Sequence, residues 1–182
     1  MTGLTRETKE TQITIEIDLE GGEIDVRTDE VFLTHMMETF ARYAGLGLTL
    51  RATGDMKHHL MEDVAITLGL ALREEIPAEA ERYGSATVPM DDALVRAAID
   101  VGGRAWYEGT LPSDLWEHFL QSFADNLGAT LHVIVDRGRD RHHVVEAAIK
   151  ATGLAVRQAA RKGDTVFSTK GSVKLQWTEE EL

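Results

Sequence analysis

Apolar and polar residues alternate strictly from Gln12 to Glu20, with Ile13, Ile15, Ile17 and Leu19 on one face, the pattern of a strand buried on one side. Gly21-Gly22 follows and permits a tight turn into a second strand over Glu23–Arg27. The apolar spacing then becomes helical from about Phe32 to Tyr43, and Leu46–Ala52 reads as another strand. Lys57–Glu75 is a longer helix with Val64, Leu68, Leu72 and Ile76 on one stripe, and Pro77 marks its end or lies just beyond it. The same order then returns. Ala97–Val101 reads as a strand, Gly102-Gly103 as a turn and Arg104–Glu108 as the return strand. A helix follows over Asp114–Leu127 with Ser113 or Asp114 as its cap, then a strand over Thr130–Asp136 and a helix over His142–Arg161.

Residue matches make this a duplication and not only a recurring order. Ile17-Asp18-Leu19 returns as Ile99-Asp100-Val101, and the glycine pair returns 81 positions later. His35, followed by Phe40-Ala41, returns as His118, followed by Phe123-Ala124. His58-His59-x-x-Glu62 returns as His142-His143-x-x-Glu146. Two copies of this size with no low-complexity linker predict an α+β fold. Its two pseudo-symmetric β-β-α-β-α half-repeats, about 8–84 and about 85–173, pack into one domain, and a short acidic tail covers 174–182.

Composition narrows the chemistry. The chain of 182 residues carries a net charge of −12, which argues against a nucleic-acid groove or an anionic membrane surface as the main partner. It has no cysteine, so disulfides, thiolate metal sites and cysteine nucleophiles are excluded. No apolar stretch approaches membrane-spanning length, and the polar start MTGLTRETKE does not read as a signal peptide. A soluble, cytoplasmic protein is expected.

Six of the seven histidines occupy repeat-equivalent positions: His35 with His118, His58 with His142, and His59 with His143. Residues three and four apart share a helix face, so Glu62 can meet His58 and His59, and Glu146 can meet His142 and His143. Neutral imidazole and carboxylate are the donors a divalent ion takes. Neighbouring residues diverge by about 100° around a helix, so the two rings of each pair suit two different metals better than one. Six histidines and two glutamates would supply four protein ligands to each of two ions. An octahedral ion such as Mn²⁺ would then keep two positions for substrate or water, where structural zinc would be closed. His132, opposite Thr49 in the repeat, reads as a structural histidine. From these residues alone, an enzyme, a metal-glued assembly without catalysis and a di-metal hydrolase all stay open.

Several longer motifs carry a resemblance: RETKETQITI, FLTHMM, HHLMEDVAITLGLALRE, RYGSATVPMDDALVRAAIDVGGR, HHVVEAAIK and STKG. In this order, from about Arg6 to Val173, the chain resembles the imidazoleglycerol-phosphate dehydratase family, in a compact, archaeal-like form. The resemblance implies two similar α+β halves, two Mn²⁺ per active site and a 24-subunit shell with sites between subunits. It implies a hydro-lyase of histidine biosynthesis that converts D-erythro-imidazole-glycerol phosphate to imidazole-acetol phosphate, with the substrate ring bound to metal as an imidazolate. The implied metal ligands are His35, His58, His59, Glu62, His118, His142, His143 and Glu146, the same eight the repeat singles out. Glu10, in RETKET, matches the family's general acid/base. Arg82, Arg104, Lys150, Ser168 and Lys170 match its phosphate pocket, where arginine grips bidentately and lysine supplies a point charge. The chain departs from the common pattern at Thr34, where an aspartate usually precedes the first metal histidine, and at Thr39, where a glutamine is frequent.

Overall fold

The alternation at Ile13, Ile15 and Ile17 becomes the inner face of a sheet, each side chain fully buried. The computed structural model describes residues 1–164. In its first half the chain runs β1 (Thr2–Glu7), β2 (Thr11–Asp18), β3 (Ile24–Thr28), α1 (Val31–Ala44), β4 (Gly47–Gly54) and α2 (Lys57–Glu75). The second half runs β5 (Tyr83–Met90), β6 (Ala93–Val101), β7 (Trp106–Gly109), α3 (Asp114–Leu127), β8 (Ala129–Arg137) and α4 (Arg141–Ala159). Each half therefore holds the expected β-β-α-β-α order with one more strand at its start.

Each half builds a four-stranded sheet, ordered β1-β2-β4-β3 in the first and β5-β6-β8-β7 in the second. The glycine pairs do not close hairpins between neighbouring strands, as the sequence pattern suggested. β3 skips β2 and pairs in parallel with β4, and β7 likewise pairs in parallel with β8. Gly21 and Gly22 adopt φ of 93° and 147° and pass against the start of β4, where a Cβ on Gly47 would stand 3.0 Å from the Gly21 carbonyl oxygen. The pair thus serves a crossing over the end of β4 that side chains would block.

The two added strands, β1 and β5, are edge strands, and that position explains why they escape the apolar pattern. β1 has no fully buried residue. β5 carries Pro89, tolerated at a sheet edge where no ladder N–H is required. Gly84 in β5 lies so close under α4 that a Cβ would fall 1.9 Å from the Ala155 carbonyl oxygen. β6 also begins four residues earlier than Ala97, because Ala93 and Val95 continue the buried alternation.

Helices α1 and α2 cover the first sheet and α3 and α4 the second, while α2 packs on α3 and α1 on α4. The helices thus form a layer between two sheets, and partners are exchanged between halves. Phe40 and Phe123, repeat equivalents, meet edge to face with centroids 5.6 Å apart, a pairing worth about 0.5–1.5 kcal/mol beyond its burial. Close helix approach rests on another equivalent pair. A Cβ on Gly69 of α2 would meet the Phe123 carbonyl oxygen at 2.7 Å, and one on Gly153 of α4 would meet that of Phe40 at 3.0 Å. Among the described residues, no helix is long and apolar enough to cross a membrane.

Candidate metal centre

The exchange of helix partners decides which histidines meet. The first turns of α2 carry His58, His59 and Glu62, and those of α4 carry His142, His143 and Glu146, while His35 lies on α1 and His118 on α3. Because α2 packs on α3, His58 and Glu62 meet His118. Because α4 packs on α1, His142 and Glu146 meet His35. In each of these two triads the ligating atoms lie within 4.8 Å of one another. Glu62 Oε2 is 3.7 Å from His58 Nε2, and its Oε1 is 3.3 Å from His118 Nε2. Glu146 Oε2 is 3.1 Å from His142 Nε2 and 3.7 Å from His35 Nε2. The imidazoles stack with an interplanar angle of 17° in both triads, at 5.2 Å for His58 and His118 and 6.5 Å for His35 and His142.

These donors fit a cation. His118 Nε2 is buried and makes no hydrogen bond among the described residues, although a carboxylate oxygen lies 3.3 Å away. Imidazole and carboxylate together suit a borderline divalent ion. The triads are not identical in surroundings. Glu62 is partly exposed, whereas Glu146 is buried and its Oε1 is 2.8 Å from Lys150 Nζ. Burial pushes the Glu146 carboxyl up, but the Lys150 hydrogen bond and charge, with His35 and His142, outweigh it and hold the group below its ordinary value. Lys150 also reaches Met90 Sδ at 3.2 Å and stands over the Tyr43 ring. The edge of this triad is apolar, with Phe32 5.0 Å from the His142 ring and edge-on to Trp116.

His59 and His143 belong to neither triad and are engaged by other carboxylates. His59 Nδ1 is 2.9 Å from Asp55 Oδ1 and 3.5 Å from Glu10 Oε2. His143 Nδ1 is 2.6 Å from Asp92 Oδ1, and its Nε2 is 3.3 Å from Asp91 Oδ2. Hydrogen bonds that the rings donate to the Asp55 and Asp92 carboxylates raise both imidazoles above their ordinary pKa. Asp92 is held well below the usual carboxylate range by His143 and by the backbone N–H groups of Arg139 and Asp140. Carboxylates that engage Nδ1 fix the ring and leave Nε2 as the ligating atom. The sequence reading missed both aspartates: Asp55 stands four residues before His59, a local spacing that could have marked it, whereas Asp92 reaches His143 only through the β5–β6 turn.

Among the described residues, the expected arginines do not gather at the triads. Arg82 stands at φ 75°, ahead of β5, with Nε and Nη2 bonded to the two Asp100 oxygens at 2.8 and 3.1 Å. Arg104 lies exposed between β6 and β7, its carbonyl accepting from Thr130 Oγ1. Arg82 lines a cavity of about 540 Å³ with Arg73, Gly102 and Gly103. Arg73 is fourteen residues from His59 along α2, about 21 Å of helix. Among the described residues, Lys150 alone of the expected phosphate residues adjoins a triad. Ser168 and Lys170 lie outside the described residues. Thr34 is bonded to Thr28 by its hydroxyl, 2.9 Å, and Thr39 is buried in α1.

Fold and side chains together define a pseudo-symmetric α+β protein with two matched candidate metal groups at the seam between its halves. The family model for imidazoleglycerol-phosphate dehydratase matches residues 28–156. The dehydratase of Pyrococcus furiosus is 40% identical over 177 residues, covering 92% of this chain and 99% of that protein. That of Pyrobaculum calidifontis is 45% identical, covering 93% and 98%. The crystal structure of the Pyrococcus furiosus enzyme in complex with (S)-C348 superimposes with a TM-score of 0.86 at 39% identity, covering 93% of this chain and all of that one. The Staphylococcus aureus enzyme gives 0.82 at 30% identity, covering 89% and 99%. The chain belongs to the imidazoleglycerol-phosphate dehydratase family, and is a hydro-lyase by that membership.

Proposed function

We propose that the chain dehydrates D-erythro-imidazole-glycerol phosphate to imidazole-acetol phosphate as a cytoplasmic enzyme of histidine biosynthesis, with two Mn²⁺ per active site. The observation that carries this reading is the pair of His–His–Glu triads, each assembled from both halves. His35, His142 and Glu146 would hold one ion, and His58, His118 and Glu62 the other. Bound there, Mn²⁺ supplies Lewis-acid charge to the substrate's imidazole and orients it. The chain's own residues do the remaining work. Glu10 takes up and returns the proton moved from carbon as the hydroxyl leaves as water, a role that needs an accessible carboxylate near the substrate. Its side chain is about half exposed and lies beside His59.

Each triad supplies three ligands, and the fourth is proposed to be His59 or His143 of a neighbouring copy. Both have Nδ1 engaged by a carboxylate and neither belongs to a triad of its own chain, which suits them to reach across an interface. Arg82 and Arg104, distant from the triads within one chain, would come from a neighbour too and grip the phosphate with Ser168 and Lys170. Lys150 would assist from beside Glu146. We therefore propose a 24-subunit shell with sites between subunits. Each subunit would be a single domain with half-repeats about 8–84 and 85–173 and a tail over 174–182.

The test is turnover of imidazole-glycerol phosphate by metal-stripped protein, with and without added Mn²⁺, alongside its mass by light scattering. Turnover and a large assembly that both return with Mn²⁺ are expected. Bound Mn²⁺ without turnover would overturn the assignment of substrate.

A further inference from the structure

Glu10 lies in the β1–β2 connection and Asp92 in the β5–β6 connection, and the two are repeat equivalents 82 positions apart. Both face the second histidine of a pair, yet they are held differently. Asp92 is consumed by structure: it bonds His143 Nδ1 and accepts from the Arg139 and Asp140 N–H groups. In the first half, Asp55 takes over the bond to the histidine, His59, at 2.9 Å. Glu10 is left 3.5 Å away with its side chain about half exposed.

A carboxylate released in this way needs another means of being held, and a partly buried polar cluster provides one. Asp63, next to Glu62 on α2, accepts from Arg6 Nε at 3.0 Å and from Arg6 Nη2 at 2.8 Å through Oδ1, and from the Thr11 hydroxyl through Oδ2. Arg6 and Thr11 flank the connection that carries Glu10. Within it, Thr8 Oγ1 accepts from the N–H groups of Glu10 and Thr11, and the Glu10 carbonyl accepts from the Asp55 N–H at 3.0 Å.

Among the described residues, the second half of the repeat has no such cluster. Positions equivalent to Arg6, Thr11 and Asp63 in the second half are Val88, Ala93 and Ala147, all buried and apolar. There β5 and β6 also rest on the equivalent helix, α4, with apolar residues at these three positions. Burying the Asp63 carboxylate and the Thr11 hydroxyl instead carries a desolvation cost that apolar packing would avoid. The polar version occurs only in the half whose hairpin tip presents Glu10.

We propose that Asp63, acting through Arg6 and Thr11, is a positioning residue that anchors the β1–β2 tip to the metal-bearing helix and so fixes the Glu10 carboxylate beside His59. The inference rests on the reading of Glu10 as acid/base. A misplacement on the order of 1 Å at such a group costs about 100-fold in rate.

The test uses the Mn²⁺-loaded, assembled enzyme carrying Asp63→Asn or, should that variant fold poorly, the near-isosteric Thr11→Val. Expected are a kcat reduced about 100-fold for Asp63→Asn, KM and metal content near the parent's, and no further loss when Glu10→Gln is added. Losses that multiply in the double variant, or that fall on KM or metal content, would overturn the proposal. Amide hydrogen exchange separates this from failure of the acid/base reading. If Glu10→Gln alone keeps full kcat, that reading falls, and the anchor is judged by exchange at Thr11 and Asp55. Faster exchange there in Asp63→Asn supports it, and unchanged exchange overturns it.

Discussion

His118 Nε2 lies 3.3 Å from Glu62 Oε1, although the helices that carry them belong to different halves of the repeat. Among the described residues neither half alone contains a triad, so metal binding is expected to report on the docking of the halves. Each glutamate should govern one ion. Glu62→Gln and Glu146→Gln are expected to weaken one of two Mn²⁺ sites at least 10-fold each while leaving the other near its parent affinity. Calorimetric titration of the stripped protein measures both sites, and two unchanged sites in either variant would remove that glutamate from the ligand set.

The two glutamates should differ in stability as clearly as they match in metal binding. Glu146 is buried against Lys150, whose side chain is only 14% exposed, whereas Glu62 is 37% exposed. Glu146→Ala leaves a largely buried ammonium without its carboxylate and is expected to cost about 2–3 kcal/mol in metal-free protein. Glu62→Ala is expected to cost under about 1 kcal/mol. Adding Lys150→Met to Glu146→Ala should recover most of the loss. Urea unfolding in chelator measures all three, and equal costs for the two alanine variants would mean that Lys150 is not held by Glu146.

His59 and His143 test the interface part of the reading. The double variant His59→Ala, His143→Ala is expected to lose turnover and to stay small when Mn²⁺ is added, because each metal would lack the ligand that joins it to a neighbour. Light scattering before and after Mn²⁺ distinguishes this from simple loss of metal. A metal-free double variant that still assembled fully and turned over substrate would contradict it.

Legibility in the sequence followed burial. Ile13, Ile15 and Ile17 announce β2 because one face meets the core and the other does not, and the helix faces are equally plain. β1 and β5 lie at sheet edges, where Thr2–Glu7 buries nothing completely and Gly84 supplies a missing side chain as its packing element. Such strands leave little apolar trace. The parallel pairing of β3 with β4 was also hidden, since Gly21-Gly22 suits a crossing as well as a hairpin. Among the site residues, the repeat marks the eight histidines and glutamates by position, and the structure sorts six of them into triads. Residues that hold others in place left weaker signals. Asp92 and Asp63 act through contacts 51 and 52 residues away in sequence, a distance no local period reports.

Gly69 and Gly153 set how closely the halves dock. A Cβ on Gly69 would meet backbone atoms, the Phe123 oxygen at 2.7 Å and the Leu127 nitrogen at 2.9 Å, which cannot yield as a flexible side chain would. Gly69→Ala is expected to cost about 1–3 kcal/mol by overpacking, despite the roughly 1 kcal/mol that alanine gains in helix propensity. It should also weaken the triad of His58, Glu62 and His118 more than the other, since α2 would be pushed off α3. Thermal unfolding and metal titration together check this. A stabilised variant with both sites intact would show that the helices are not in contact at Gly69.

The end of α2 far from the metal offers a pH test that does not involve the triads. Glu75 accepts from the Thr2 hydroxyl and from the N-terminal ammonium, and these bonds hold its carboxyl below the ordinary value of 4.5 despite opposing burial. A carboxyl with a depressed folded pKa contributes stability that is fully present above the unfolded pKa and lost as pH falls through the folded one. Glu75→Gln is therefore expected to cost about 1 kcal/mol at pH 7. The gap should narrow below about pH 4.5 and close once the parent's Glu75 is protonated in both states. Urea unfolding of the two proteins across pH 3–7 measures the gap directly. A difference that stayed constant through this range would mean that the N-terminal strand is not tied to α2 by the Glu75 carboxylate.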